Sequence, residues 1–164
     1  MAREITIGIA DIEFAPVSPT GGAGTEFFKV GQTLAGSFNL NTDAGTPVVI
    51  NVEEQVQPIY NRNTEGAKTM DFEVVNYDFP DIMKLMGGTT SGTVWSAPEQ
   101  ALNGEFTIRI TPNTGYVLQF NRVAVSAELG GNLGRDTQLS LMISGNVLQP
   151  TLEDTPPYTL TKQA

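Results

Sequence analysis

Asp71-Phe-Glu-Val-Val-Asn-Tyr-Asp78-Phe-Pro-Asp-Ile-Met-Lys-Leu-Met-Gly87-Gly88 decides the fold class, because the period of its apolar residues changes part-way along. Up to Val75, Phe72 and Val74 alternate with Asp71 and Glu73, the two-residue repeat of a half-buried strand. Beyond Tyr77, Ile82, Leu85 and Met86 recur at three- and four-residue spacing, which places them on one side of a helix. Asp78 is a residue type favoured as an N-cap, and Pro80 suits a first turn, where its missing N–H would be unpaired anyway. Gly87 and Gly88 can take the left-handed conformation that ends helices. The expected helix spans about 79–87. Two turns of helix cannot bury a core alone, so it must dock on a sheet.

The flanking sequence reads as that sheet. Glu4 to Ala15 is expected as a first strand, with Ile5, Ile7 and Ile9 in phase and a shift at Ala10–Asp11. Pro16 to Thr25 is a loop punctuated by Pro and Gly. Phe27 to Leu40 reads as one or two strands broken near Gly31. Pro47 to Tyr60 reads as a long strand with Val48, Ile50, Val52, Glu54 and Val56 on one, mainly apolar face and Val49, Asn51, Glu53, Gln55 and Gln57 on the other. The polar turn Asn61–Gly66 would return it to Thr69–Tyr77 as a long hairpin with one apolar and one acidic or amide-rich face. Thr93–Ala97, Glu105–Thr111, Tyr116–Leu129 and Thr137–Val147 complete the strands. The expectation is a mainly β fold: a β-sandwich or barrel of roughly eight strands with one short flanking α-helix. It is expected to form a single domain over 1–149, with an extended C-terminal tail over 150–164.

The 164 residues suffice for one domain, and 40% hydrophobic residues suffice for a core. Only 16% are charged, against roughly 25% in an average globular chain, which fits either an oligomer or a surface rich in Thr, Asn and Gln. The net charge is −9 and the nine basic residues stand singly, so no basic stripe exists to grip phosphates. Such a surface can still enclose nucleic acid while keeping it mobile. Without Cys there are no disulfides, thiolate metal sites or cysteine nucleophiles, and without His there is no Ser-His-Asp triad. No apolar run approaches the ~18 residues of a membrane-spanning helix. The opening Met-Ala-Arg-Glu-Ile-Thr-Ile alternates at once and has no signal-like apolar run, so synthesis in the cytoplasm is expected.

Catalytic chemistry finds little support. Glu53 and Glu54 with Asp71 and Glu73 could in principle pair carboxylates for glycoside hydrolysis, but only one Trp is present and a solvated acidic face explains them better. Asp78 and Asp81 are better read as complementing a helix N-terminus than as cation ligands. Gly21–Gly24 and Gly130–Gly134 lack the following helix and Lys of a phosphate loop. No cofactor is expected.

The order of features does resemble a known family. A strand running into Asn76-Tyr-Asp-Phe-Pro-Asp-Ile-Met-Lys-Leu-Met-Gly-Gly88, then Val94-Trp-Ser-Ala-Pro98, then Phe106-Thr-Ile-Arg-Ile-Thr-Pro112, Tyr116–Val125 and Leu139–Pro150, is similar to the major tail tube proteins of tailed bacteriophages. The resemblance covers most of Phe72–Pro150. It implies a β-sandwich whose six copies form rings that stack into a tube, with a β-barrel lumen conducting the viral genome. It implies no catalysis, contacts with other tail proteins at the tube ends, a tape-measure-type protein in the lumen, and a place in the virion tail. The acidic composition is compatible with a lumen that does not bind DNA. Glu53, Asp71 and Glu73 are expected to face the lumen. Inter-subunit contacts are expected from the loops holding Gly21, Gly22 and Gly24 and Asn61, Arg62, Asn63 and Glu65, and from the tail at Pro156, Pro157 and Tyr158. The alternatives are a tube protein of a contractile injection machine, a capsid decoration protein and, more distantly, a carbohydrate-binding β-sandwich module.

Overall fold

Alternating apolar residues organise most of the chain into antiparallel strands, seen in a computed structural model that describes residues 3–164. In chain order the elements are β1 (Asp11–Pro16), β2 (Gln32–Thr33), β3 (Asn39–Thr42), β4 (Pro47–Ile50), β5 (Tyr60–Asn63), β6 (Lys68–Val75), α1 (Phe79–Met86), β7 (Thr89–Ser91), β8 (Val94–Ser96), β9 (Gly104–Thr111), β10 (Tyr116–Gly131), β11 (Leu139–Val147) and β12 (Tyr158–Lys162). Strand accounts for 46% of the chain and helix for 5%; a curled eight-stranded sheet forms a half-barrel beside one helix. The order is β1-β9-β10-β11-β6-β2, with β12 also on β10 and β3 also on β6. The mainly β expectation holds, with the sheet curling rather than splitting into a sandwich.

The residues that alternate in the sequence are the ones that bury. Ile12 and Phe14, Met70, Phe72 and Val74, Phe106, Ile108 and Ile110, Val123 and Val125, and Leu141 and Ile143 share the face that carries α1. Phe14 is the hub: its ring lies 6.1 Å from Phe28 and 6.0 Å from Phe72, both stacked, and meets Phe106 edge-on at 6.2 Å. The helix inserts Leu85 into this layer and also buries Ile82. It ends at Met86, because Gly87 adopts φ +78 and Trp95 Nε1 donates to the Gly87 carbonyl at 3.1 Å. Asp78 stands at the N-cap but its side chain makes no capping bond.

Several boundaries differ from expectation, each for a local reason. The first strand starts at Asp11. Between Glu4 and Ala10 the chain forms the isolated bridge Ile7–Thr114 and scattered bonds such as Ala10 N–H to the Thr111 carbonyl (2.8 Å) instead of a ladder, and Gly8 turns it at φ +72. The sixteen-residue β10 carries a register shift between Phe120 and Val123, where Asn121–Arg122 interrupts the alternation. Residues 150–164 do not trail free. β12 runs antiparallel to Tyr116–Phe120, so β11 and β12 lie end to end along one edge of β10.

The largest correction concerns the long hairpin. It exists, but its apex lies between Ile50 and Tyr60, not at Asn61–Gly66. Asn39 faces Asp71, Thr42 faces Lys68, Pro47 faces Asn63 and Ile50 faces Tyr60, so β3 with β6 and β4 with β5 belong to one unbroken register. The Asp43 N–H to Ala67 carbonyl bond (2.9 Å) and the Thr64 Oγ1 to Thr46 carbonyl bond (2.8 Å) keep that register through the gap between them. The outer half, β4 with β5, is exposed at every residue and projects from the half-barrel as an arm.

Candidate functional site: an open acidic face and a projecting arm

Sheet parity builds the site. Opposite the core, β6 presents Thr69, Asp71 and Glu73, β11 presents Met142, Ser144 and Asn146, and β10 presents Ala124, Ser126 and Glu128. Asn39 and Asn41 of β3 extend the same rows. Asp71, Ser126, Glu128, Met142, Ser144 and Asn146 are exposed. Over β6, β11 and Ala124–Gly131 of β10 the face carries Asp71, Glu73 and Glu128, and Arg122, of the same parity in β10, borders it in its ion pair with Glu105. Glu73 is anchored by Ser140, whose hydroxyl donates to Glu73 Oε2 at 3.0 Å.

The unbroken register carries this face onto the arm. Odd-numbered residues there continue it: Asp43, Pro47, Val49, Asn61, Asn63 and Glu65. Even-numbered residues continue the core face instead, with Leu40, Val48, Ile50 and Tyr60. Beside Met70 that face is sealed by the chain's own core; on the arm it is exposed. At the apex, Val56 is 97% exposed.

The residues singled out in the sequence separate accordingly. Asp71 and Glu73 share the open face, and Glu53 does not join them: it lies in the apex turn of the arm, because the hairpin turns there. Asn61, Arg62 and Asn63 are strand residues of β5, not a turn, and Arg62 lies on the apolar side opposite Val48. Glu65 is exposed between β5 and β6. Gly21, Gly22 and Gly24, expected at a subunit contact, pack within their own chain. Gly22 and Gly24 are buried, Leu152 N–H reaches the Gly21 carbonyl at 3.4 Å, and Gly24 lies too close to the Pro16 carbonyl for any side chain. Pro156 and Pro157 are likewise engaged at home: their carbonyls accept the Asn121 side-chain amide at 2.7 Å and the Asn121 N–H at 3.0 Å. Tyr158 opens β12 with its ring 5.9 Å from that of Phe120.

Glu128 was not singled out in the sequence. Its signal was present as parity, two residues from Ser126 on a strand whose even positions face away from the core, but the interruption at Asn121–Arg122 hides which phase applies beyond it. Ion pairs elsewhere are structural. Arg122 Nη2 meets Glu105 Oε1 at 2.8 Å, and this contact lowers the Glu105 pKa below its ordinary value. Arg109 pairs with Glu13 while stacking on Phe27 at 3.9 Å.

No protein-family model matches this sequence, and no curated protein matches it.

Proposed function

We propose that this protein is a structural subunit that assembles with copies of itself into the tail tube of a bacteriophage, as stacked and hexameric rings whose lumen conducts the viral genome. The observation that carries this reading is the open face: Asp71, Glu73 and Glu128 among Ser, Asn and Thr, with the bordering Arg122 neutralised by Glu105, on strands that continue into the arm. A wall for moving DNA must be wettable and must not hold phosphate, and carboxylates among neutral polar groups meet both needs. Lining by β3 with β4, β5 with β6, β11 and β10 gives four strand positions per copy. Six copies would then close about 24 strands, spaced ~4.8 Å and tilted ~40°, into a barrel about 48 Å across its backbone. Side chains narrow that bore but leave it wider than a DNA duplex. The arm supports self-assembly. Full burial of a Val, Ile or Leu side chain is worth roughly 1.5–3 kcal/mol, and Val48, Val49 and Ile50, about half exposed in a row on the arm, leave part of that unrealised. Other tail proteins would cap the tube ends, and a tape-measure-type protein would occupy the bore before ejection.

The test combines electron microscopy of the purified protein with DNA retention. Wild-type protein is expected to form rings or hollow tubes that do not retain duplex DNA. The variant D71K/E73K/E128K is expected to form the same tubes and to retain DNA at low salt, releasing it as salt rises. A compact trimer, or tubes whose DNA retention ignores the charge reversal, overturns the reading.

A further inference from the structure

Two glycines sit where the arm leaves the sheet. The register that pairs Thr42 with Lys68 and Pro47 with Asn63 sets Gly45 opposite Glu65 and Gly66 opposite Ala44. Each glycine meets the carbonyl one residue before its register partner. Gly45 faces the Thr64 carbonyl and Gly66 faces the Asp43 carbonyl, and at both a Cβ would fall onto the carbonyl oxygen. Neither adopts a positive φ, so glycine is required here by the approach of the opposite backbone and not by its own conformation. In a regular ladder neighbouring strands lie ~4.8 Å apart and leave room for every Cβ above or below the sheet. At the root of the arm the two strands cross closer than that, each supplying one glycine and one carbonyl.

No side chain packs this crossing. Asp43, Ala44 and Thr46 on one strand and Thr64, Glu65 and Ala67 on the other are all exposed. On the body side the ladder is anchored: Lys68 Nζ reaches Thr42 Oγ1 at 3.5 Å and lies 5.4 Å over the Tyr158 ring. On the far side β4 and β5 pair only with each other. The direction of the arm is therefore decided at the crossing, by backbone contact.

We infer that Gly45 and Gly66 are positioning residues: their crossing sets the direction in which the arm leaves the half-barrel, and self-assembly needs that direction. The second part rests on the assembly reading above; the first does not. A methyl group at either position has to displace a backbone carbonyl, which spreads or rotates the two strands. At ~3.4 Å per residue Ile50 lies about 17 Å from Gly45, so a rotation of roughly 20° at the root carries it about 6 Å.

The chain has no cysteine, so Gln55→Cys in the apex and Ser144→Cys on the open face, both exposed positions, can carry a spin-label pair without background. The distance between the labels is measured by double electron–electron resonance in the full-length protein, diluted into unlabelled protein. With both glycines in place a single narrow distance is expected. G45A and G66A, each added to the labelled pair, are expected to shift that distance by about 5 Å or more while the unfolding midpoint stays unchanged. A merely structural role would move the midpoint and leave the distance alone. In sedimentation, the unlabelled G45A and G66A proteins are expected to lose more than tenfold in assembly. A distance unchanged in both variants overturns the inference, as does a distance already broad with both glycines present, which would make the root a free swivel. A shifted distance with undiminished assembly overturns the second part. If the parent protein forms no rings or tubes and the distance still shifts, the positioning role stands and the tube reading falls.

Discussion

Thr107 shows how much one hydroxyl can organise. It is fully buried at the centre of β9; its Oγ1 accepts the Gly24 N–H at 2.7 Å and donates to the Asn121 carbonyl at 2.9 Å. One atom thus ties the 17–25 loop to the bulge of β10. Replacing it by Val keeps the shape and leaves a buried N–H and a buried carbonyl without a partner, a cost of about 1–3 kcal/mol. T107V is expected to lower the unfolding free energy by that amount and to speed hydrogen exchange at the Gly24 amide; unchanged exchange would mean the loop is held by other contacts. Glu105 offers a second residue-scale test. Its pKa is lowered, first by the hydrogen bond from Arg122, so the pair stabilises the fold above the ordinary value of 4.5 and loses that contribution as pH falls through the lowered folded value. E105Q is expected to flatten that part of the acid side of the stability curve and to leave neutral-pH spectra unchanged. The pair is exposed, so the effect is small.

At the scale of elements, legibility followed burial. β6, β9, β10 and β11 were readable because one face of each is sealed in the core, so alternation reports directly on their phase. The helix was readable from the change of period after Tyr77. The register of the arm was not. Val48 to Val56 alternates straight into the true apex, while Asn61-Arg-Asn-Thr-Glu-Gly66 has the composition of a turn yet begins as the strand β5. With no core of its own to seal against, the arm leaves its register to backbone pairing, which composition does not encode. Asp71 and Glu73 were therefore placed together, while Glu53 was carried along by the wrong turn. The arm also supplies a prediction. Replacing Val48, Ile50 and Tyr60 together by Thr should leave the monomer's unfolding midpoint unchanged, because these side chains are exposed within the chain. Sedimentation of the same variant should show assembly lost or weakened by more than tenfold, equivalent to ~1.4 kcal/mol per joint. A drop in monomer stability would place those side chains in the chain's own core.

The whole molecule divides its sheet by use. Over β1, β9 and the first half of β10, the side away from the core is roofed by the chain itself. The 17–25 loop and the 148–157 segment lie against each other through Gly21 and Leu152, and bury Ala15, Thr107 and Asn121. Over β6, β11 and the second half of β10, none of the described residues forms such a roof, and the face is acidic and open. The fold class was legible in the sequence, but this division was not, since it depends on which loops fold back over which strands. Gly21, Gly22 and Gly24, with Pro156 and Pro157, carry the composition of free loops and serve as roof.

The continuous register of the arm has a mechanical consequence. Its second strand is the same length of chain that becomes β6, which is gripped by β11 along one edge and by β2 and β3 along the other. A pull on the apex therefore loads β6 along its length, and the hydrogen bonds flanking it share the force in shear instead of parting one at a time. A filament joined through such arms would stretch and bend at the lapse in pairing between Thr42 and Pro47 before any subunit unravels.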